Sequence, residues 1–166
     1  MREIHARPIG PAAWAPFGAL VSAREAPPRI CNHGTAEAWD ALATLEGTRP
    51  GARAEASLFR CRPHRGGRLE VRWLERHPCS TQLFAPLGRG RYLLVVAHGD
   101  EAPDPSTLAA FLVEGAQAIT YAPGTWHHPM VALDAPLDFV NLLHVDGTDA
   151  DCEEVAFDPP CARVRW

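Results

Sequence analysis

The sequence contains no lysine, because all 16 of its basic residues are arginine. A chain without lysine cannot form a Schiff base with a substrate, and it cannot use the lysine of a phosphate-binding loop. The five cysteines are scattered and include no C-x-x-C pair, so neither a zinc knuckle nor a disulfide framework is predicted. We therefore expect a reducing, cytoplasmic environment.

Long hydrophobic runs are also missing. The longest, Tyr92 to Ala97, is far too short to cross a bilayer, and the first residues lack the apolar core of a signal peptide. The net charge of -4 offers no basic surface for nucleic acid. We expect a soluble protein with no membrane or nucleic-acid partner, and one domain spanning residues 1–166.

Short apolar segments separated by Gly and Pro predict a mainly β fold, a sandwich or barrel with a few short helices. Tyr92 to Ala97 predicts a strand buried on both faces, and residues 69–77 predict one strand whose inner row ends in Glu75 and His77. Asp104 with Pro105 resembles a helix start, with Leu108, Phe111 and Leu112 as the buried stripe of that helix and Gly115 as its end. A second helix is expected within residues 29–47. The acidic and Pro-rich tail after Gly147 is expected to be an edge or an arm.

A Pro-Gly turn precedes two adjacent histidines, His127 and His128, in the segment from Tyr121 to Leu133. Side chains alternate across a strand, so one imidazole faces inward and the other faces outward. Imidazole titrates near neutral pH and can bind a metal or move a proton. This segment is therefore the predicted centre of the chemistry.

Two motifs resemble a degenerate cupin signature: Glu75-x-His77-x-x-x-x-Gln82 and Gly124-x-x-His127. In that signature the two motifs meet at the mouth of a small β-barrel. Glu75 stands at the place of the first ligand histidine, and Gln82 at that of the ligand glutamate. A divalent metal held by Glu75, His77, His127 and Gln82 would be weakly bound, because a neutral amide is a poor ligand.

Longer stretches resemble the ureidoglycolate lyase family, whose members split ureidoglycolate into glyoxylate and urea in allantoin catabolism. They are Leu74-Glu75-Arg76-His77-Pro78 with Thr81-Gln82 and Phe84-x-Pro86, Val95-Val96-Ala97-x-Gly99-Asp100 with Pro103-Asp104, Ser106-Thr107-Leu108 with Ala110-Phe111, and Trp126-His127-His128-Pro129. The similarity extends from about Trp14 to Phe139. It implies a cupin-like β-barrel (double-stranded β-helix), a homodimer, and nickel as the cofactor. Where the family's last strand commonly closes on an Asp-Arg pair, this chain has Leu143-His144.

The resemblance implies a carbon–nitrogen lyase of the amidine-lyase class. Its reaction needs a general base, a general acid and a cation for the substrate carboxylate. Glu75 or His77 is the expected base, and His127 or His128 the expected acid. The expected substrate-binding residues are Arg60, Arg76, Gln82, Asn32 and Trp126, with either arginine able to bind the carboxylate bidentately.

Three alternatives stay open at this point. An amidohydrolase would release ammonia and carbon dioxide from the same substrate. A barrel without catalysis would bind a small carboxylate as a sensor. A metal-dependent cupin oxygenase or isomerase would act on another substrate, although the replaced ligand positions disfavour it.

Overall fold

The computed structural model describes all residues, 1–166, and is built mainly of β-strands. One helical turn, α1 (Pro11–Trp14), and two 3₁₀ turns (Asn32–Gly34 and Pro105–Thr107) interrupt them. In chain order the strands are β1 (Arg2–His5), β2 (Arg7–Pro8), β3 (Leu20–Val21), β4 (Arg29–Cys31), β5 (Ala36–Ala38), β6 (Arg53–Cys61), β7 (Arg68–Val71), β8 (Trp73–Arg76), β9 (Gln82–Pro86), β10 (Gly90–Ala97), β11 (Ala109–Gly115), β12 (Ala118–Tyr121), β13 (Trp126–His127), β14 (Val131–Ala132), β15 (Leu137–Val145), β16 (Glu153–Ala156) and β17 (Ala162–Arg165).

The strands form three stacked layers. The middle layer is a seven-stranded sheet with the order β16-β8-β13-β10-β11-β2, in which β14 also pairs with β10. A five-stranded sheet, β3-β12-β9-β15-β6, faces one side of it, and a three-stranded sheet, β1-β17-β7, faces the other. The short β4-β5 hairpin stands apart from these sheets. The mainly β, barrel-like class predicted from the sequence is confirmed.

Strand β10 explains why the sequence contains one continuous apolar run. Its residues alternate between two cores: Tyr92 and Leu94 pack toward the five-stranded sheet, and Leu93 and Val95 pack toward the three-stranded sheet. Every residue from Tyr92 to Ala97 is at most 2% exposed. The prediction of a strand buried on both faces is therefore confirmed.

The helix predicted after Asp104 is wrong. Asp104 does act as a cap, since its side chain accepts a hydrogen bond from the backbone N–H of Ser106, but the turn that it caps ends at Thr107. The chain then continues as β11, which pairs with β10 along its whole length. Both faces of β11 are buried, so its apolar residues do not alternate with polar ones and their spacing imitates that of a helix.

The helix predicted within residues 29–47 is also wrong. The segment forms the β4-β5 hairpin around the 3₁₀ turn, where Asn32 and His33 adopt positive φ angles of 51° and 56°. Trp39 is fixed by a hydrogen bond from its indole N–H to the carbonyl of Ala26, so it does not contribute to a helical stripe. A tertiary contact has overridden the local helix preference.

The single strand predicted over residues 69–77 is divided at Arg72 into β7 and β8, which belong to different sheets. The expected common row is therefore wrong. Leu69 and Val71 join the core against the three-stranded sheet, whereas Trp73 is 45% exposed. Because of this break β8 pairs with β13, and the pairing places Glu75 directly opposite His127.

The C-terminal tail after Gly147 contributes one strand to each of two sheets. Strand β16 forms the expected edge, next to β8, but β17 lies between β1 and β7 in the three-stranded sheet, and Ala162 and Val164 are fully buried. The tail therefore completes the core. None of the helical segments has the length and apolar character needed to cross a membrane.

Candidate active site

A cavity of about 470 Å³ lies between the seven-stranded and five-stranded sheets. Strands β8 and β13 supply Glu75 and His127 to its wall, and His77 follows directly after β8. The facing wall comes from β6, β9, β12 and β15. A concave site that combines apolar lining with a few converging polar groups is typical of small-molecule binding.

Glu75 and the two imidazoles of His77 and His127 meet at one place in this cavity. Glu75 and His127 are paired directly across β8 and β13, and Glu75 Oε1 lies 3.4 Å from His127 Nε2. The ring centres of His77 and His127 are 5.9 Å apart. One ligand atom from each of the three residues lies within 4.8 Å of the other two, so the group could hold a metal ion.

Backbone carbonyls fix the tautomers of both histidines. His127 Nδ1 lies 2.8 Å from the carbonyl oxygen of Thr125, and His77 Nδ1 lies 2.7 Å from that of Asp151. A carbonyl oxygen only accepts, so each Nδ1 donates and each neutral ring keeps its lone pair on Nε2. The same arrangement orients histidines that bind metals.

The Pro-Gly turn before the histidines joins the two predicted motifs physically. Gly124 has a φ of +79°, a left-handed conformation that glycine adopts without strain. Its backbone N–H donates to the carbonyl of His77 at 2.9 Å. One motif therefore positions the other, and the predicted convergence of Glu75, His77 and His127 is present in the fold.

The environment of the group keeps Glu75 ionised and His77 neutral. Burial disfavours the charged form of Glu75, but the attraction of the close His127 imidazole and of the His77 and His128 imidazoles outweighs it, so the pKa of Glu75 is lowered. Burial also lowers the pKa of His77, against the opposing effect of the Asp151 carbonyl. The cavity therefore combines a carboxylate with an imidazole that has a free lone pair.

Two cavity residues, Tyr121 and Asn141, were missed by the sequence reasoning. The Tyr121 ring stacks on the His127 ring with centres 4.0 Å apart and planes 11° apart. Burial raises the pKa of Tyr121 well above its ordinary value, so it stays a protonated phenol. Asn141 is 4% exposed in the middle of the apolar strand β15, and a lone amide in such a run is the signal that could have revealed it.

Four buried polar atoms that line this cavity have no hydrogen-bond partner in the protein. They are Gln82 Oε1, Tyr121 Oη, His127 Nε2 and Asn141 Oδ1. Each such group costs roughly 1–3 kcal/mol when left unpaired. Their concentration around one cavity indicates that it is built to bind a polar ligand.

His128 lies outside the cavity, although it was an expected acid. Its ring stacks on Trp73 with centres 5.6 Å apart, and its Nδ1 lies 2.7 Å from the carbonyl of Pro129. It faces a groove on the surface that it shares with Trp73. The structure therefore brings only one of the two adjacent histidines to Glu75.

The expected arginines do not line the cavity either. Arg60 forms a bidentate pair with Asp138, with both contacts at 2.8 Å, and its side chain is 70% exposed. Arg76 pairs with Glu153 at 2.6 Å and lies over the ring of Trp126, 4.5 Å from its centre. Both arginines serve cross-strand contacts, and no arginine is among the cavity residues.

Of the remaining expected residues, only Gln82 reaches the cavity. Asn32 lies in the exposed 3₁₀ turn between β4 and β5, and Trp126 is buried in the core against the three-stranded sheet. Glu75 also belongs to a second group that could hold a cation, with Cys152 and Glu154 of the tail. No sequence motif indicated that group, because the tail was not expected to lie beside β8.

A β-barrel whose cavity gathers a carboxylate and two imidazoles defines a cupin-like enzyme. Residues 1–164 match the family model described as ureidoglycolate lyase. The chain therefore belongs to the ureidoglycolate lyase family. It is 40% identical over 154 residues to the ureidoglycolate lyase of Rhizobium leguminosarum bv. trifolii, covering 93% of this chain and 91% of that one.

A second relative agrees with this assignment, and one solved structure shares the fold. The ureidoglycolate lyase of Burkholderia cepacia is 39% identical over 159 residues, with 90% of this chain and 88% of the other covered. Among solved structures, a dTDP sugar isomerase from Desulfovibrio desulfuricans G20 has a TM-score of 0.52 at 19% identity and covers 87% of each chain. The structural likeness concerns the fold alone.

Proposed function

We propose that this chain cleaves ureidoglycolate into glyoxylate and urea, as a carbon–nitrogen lyase of the amidine-lyase class. The observation that carries the proposal is the meeting of Glu75, His77 and His127 in one cavity of a chain that belongs to the ureidoglycolate lyase family. The cavity volume of about 470 Å³ lies in the range of small-molecule sites.

The reaction requires two coordinated proton transfers. The reacting carbon of ureidoglycolate carries a hydroxyl, a carboxylate and the ureido nitrogen. Removal of the hydroxyl proton lets the oxygen form the carbonyl of glyoxylate while the carbon–nitrogen bond breaks. The electron pair of that bond leaves on nitrogen, which takes up a proton to give urea. A positioned base and a positioned acid together supply these steps.

His77 is the proposed base, because its lowered pKa keeps it neutral at pH 7 and its Nε2 lone pair is free. His127 is the proposed acid in its doubly protonated form. Its Nδ1–H is held by the carbonyl of Thr125, so the proton on Nε2 is the one that is transferred. Glu75, 3.4 Å from that atom, orients the ring and balances the charge of its protonated form.

A divalent cation also fits the group formed by Glu75, His77 and His127, because one ligand atom from each residue lies within 4.8 Å of the other two. Coordination would occupy the nitrogen lone pairs that proton transfer uses, so the metal-bound group and the acid–base pair are two alternative states of these residues. Nickel, which the family resemblance implied, suits an imidazole-rich set. A bound ion would supply the positive charge for the substrate's carboxylate and hydroxyl that no arginine of the cavity provides. Gln82, the fourth ligand expected from the sequence, lies on the facing wall and is not in this group, so only three protein ligands are available and we expect the ion to exchange readily.

Product analysis tests the proposed reaction. Purified protein should convert ureidoglycolate into urea and glyoxylate in equal amounts, measured in fresh mixtures with and without added nickel. Ammonia as the primary product would contradict the lyase and support the amidohydrolase. Saturable glyoxylate binding without turnover under any metal would instead support the sensor.

We also propose a homodimer that uses the edge of the five-stranded sheet. Strand β6 ends that sheet, so one row of its backbone groups is unpaired, and Leu58 and Phe59 are 61% and 44% exposed. Exposed edges of this kind pair readily with a second chain. Sedimentation analysis should give a dimer for the native chain and a monomer for Leu58→Glu; a native monomer would contradict the proposal.

The cytoplasm is the proposed compartment. All five cysteines are free thiols. Burial raises the pKa of Cys61 and Cys161, which keeps these thiols protonated and poorly reactive. Cell fractionation would test the assignment, and recovery in an oxidising compartment would contradict it.

A further inference from the structure

The two walls of the cavity carry different chemistry. The seven-stranded sheet supplies Glu75 and His127, and His77 follows β8 directly. The five-stranded sheet supplies two carboxamides, Gln82 on β9 and Asn141 on β15, the phenol of Tyr121 on β12, and the ionisable Glu55 and Cys61 on its edge strand β6. Gln82 and Asn141 are only 5% and 4% exposed. Two buried amides of this kind are costly unless something pairs with them.

The strand register places the three groups on one face. Strand β9 lies between β12 and β15, with Tyr121 directly opposite Gln82 and Asn141 directly opposite Phe84. Gln82 and Phe84 are two residues apart on the same strand, so Asn141 is a diagonal neighbour of Gln82. Such neighbours have backbones about 7–8 Å apart, with side chains that can reach the same small group.

The unpaired atoms of these side chains identify the chemical class of ligand. Gln82 Oε1 and Asn141 Oδ1 are buried acceptors without a donor, and the Tyr121 hydroxyl is a buried donor without an acceptor. A carboxylate can accept from the phenol and from the amide N–H groups, but it offers no N–H to either of the unpaired amide oxygens. A ureido group offers several N–H donors beside one carbonyl acceptor, in a single plane, and can satisfy all three atoms.

We propose that Gln82, Asn141 and Tyr121 form a subsite that recognises the ureido group and thereby sets the direction of the substrate in the cavity. This inference rests on the proposed lyase activity. The amide oxygens accept the ureido N–H groups, and the Tyr121 phenol donates to the ureido carbonyl. The hydroxyl of the substrate then faces His77, the proposed base, on the opposite wall.

This direction places the breaking bond between the two walls. Tyr121 stacks directly on His127, so a ureido group held by the phenol lies next to the proposed acid. The departing nitrogen is therefore beside the group that protonates it. The subsite therefore predicts that the cavity prefers ureido ligands to plain carboxylates. Glu75, His77 and His127 alone would not produce this preference.

Binding of two unreactive probes tests the subsite. Carbamoylglycine keeps the ureido group and the carboxylate but lacks the hydroxyl, whereas glycolate lacks the ureido group. The near-isosteric variants Asn141→Leu and Gln82→Met remove the amides with little change of volume. In calorimetric titrations each variant should weaken carbamoylglycine binding by about tenfold or more and leave glycolate binding within about twofold.

Two controls separate the possible outcomes. Met130→Leu, which changes another cavity residue without a polar group, should leave both affinities unchanged. The Tm of Asn141→Leu should be equal to or above that of the native chain, because an unpaired buried amide is removed. A lower Tm with unchanged carbamoylglycine affinity would assign the amides a structural role and overturn the subsite, as would a selective loss of glycolate binding.

Turnover by the native chain distinguishes failure of the subsite from failure of the proposed function. If the native chain does not cleave ureidoglycolate, the lyase assignment fails, whatever the probes show. If it does, and the variants bind carbamoylglycine as tightly as the native chain, only the subsite fails. A raised KM for ureidoglycolate in the variants, with loss of carbamoylglycine affinity, supports both.

Discussion

His127 and His128 are neighbours in the chain, yet they face different parts of the molecule. The His127 ring lines the cavity beside Glu75 and stacks on Tyr121. The His128 ring packs on Trp73 at a surface groove. The alternation of side chains along an extended backbone thus separates two residues that the sequence presents as equals.

This separation predicts opposite effects of two adjacent substitutions. His127→Ala should lower kcat by about 100-fold or more, because it removes a group that moves a proton in the transition state. His128→Gln should leave kcat within about threefold of the native value. Steady-state kinetics on both variants, with Tm as a check on folding, measures the difference. Equal losses in the two variants would contradict the assigned roles.

Stability should fall as the pH is lowered below the ordinary histidine pKa of about 6.5. Burial lowers the pKa of His77 and of His128 in the folded chain, so the unfolded chain binds more protons between the folded and unfolded pKa values. The stabilisation is complete above that window and is lost as the pH falls through it. Tm measured from pH 8 to pH 5 should decrease, and less steeply in His128→Gln. An identical slope in that variant would contradict the contribution of His128.

Arg60→Lys should leave the KM for ureidoglycolate unchanged within about twofold. The Arg60 side chain is exposed and binds Asp138 across the strand pair, so the substitution removes one of two hydrogen bonds at the surface. An exposed pair of this kind contributes little to stability. Kinetics at several substrate concentrations checks the prediction, and a KM raised tenfold would return Arg60 to the substrate site.

Metal titration should distinguish the two cation groups that share Glu75. If nickel binds with His77 and His127, then His77→Ala should weaken binding by at least about tenfold, whereas Glu154→Gln and Cys152→Ser should not. Glu154 lies directly opposite Glu75 across β16 and β8, which makes it the matched control. Calorimetry with nickel gives the affinities. Loss of binding in Glu154→Gln alone would place the ion at the tail.

The predicted meeting of Glu75, His77 and His127 was more accurate than the predicted secondary structure around them. The resemblance to a cupin signature predicted that Glu75 and His127 meet. The glycine turn before His127 is a local property that the sequence shows, but the pairing of β8 with β13 that brings the two residues together is not. The arginines could not be placed from the sequence. Whether Arg60 faces a ligand or Asp138 depends on the pairing of β6 with β15, which joins residues 78 positions apart.

The same limit explains the errors in the fold. Strand β11 has an apolar spacing that suits a helix as well as a strand buried on both sides, and the alanine-rich segment after residue 29 forms the short, largely exposed β4-β5 hairpin in spite of its helical spacing. Only the partner strands decide between the two. Asn141 was missed for a related reason, since its importance follows from the unpaired oxygen that it brings to a cavity formed by distant strands.

The hydrogen bond from His77 to the carbonyl of Asp151 makes the late part of the chain a condition for catalysis. A nascent polypeptide that has emerged only as far as Val145 already contains the acid and both imidazoles. It lacks the oxygen atom that decides which nitrogen of His77 is basic. The loop that carries Asp151 must therefore be in place before the Nε2 atom of His77 is the basic one.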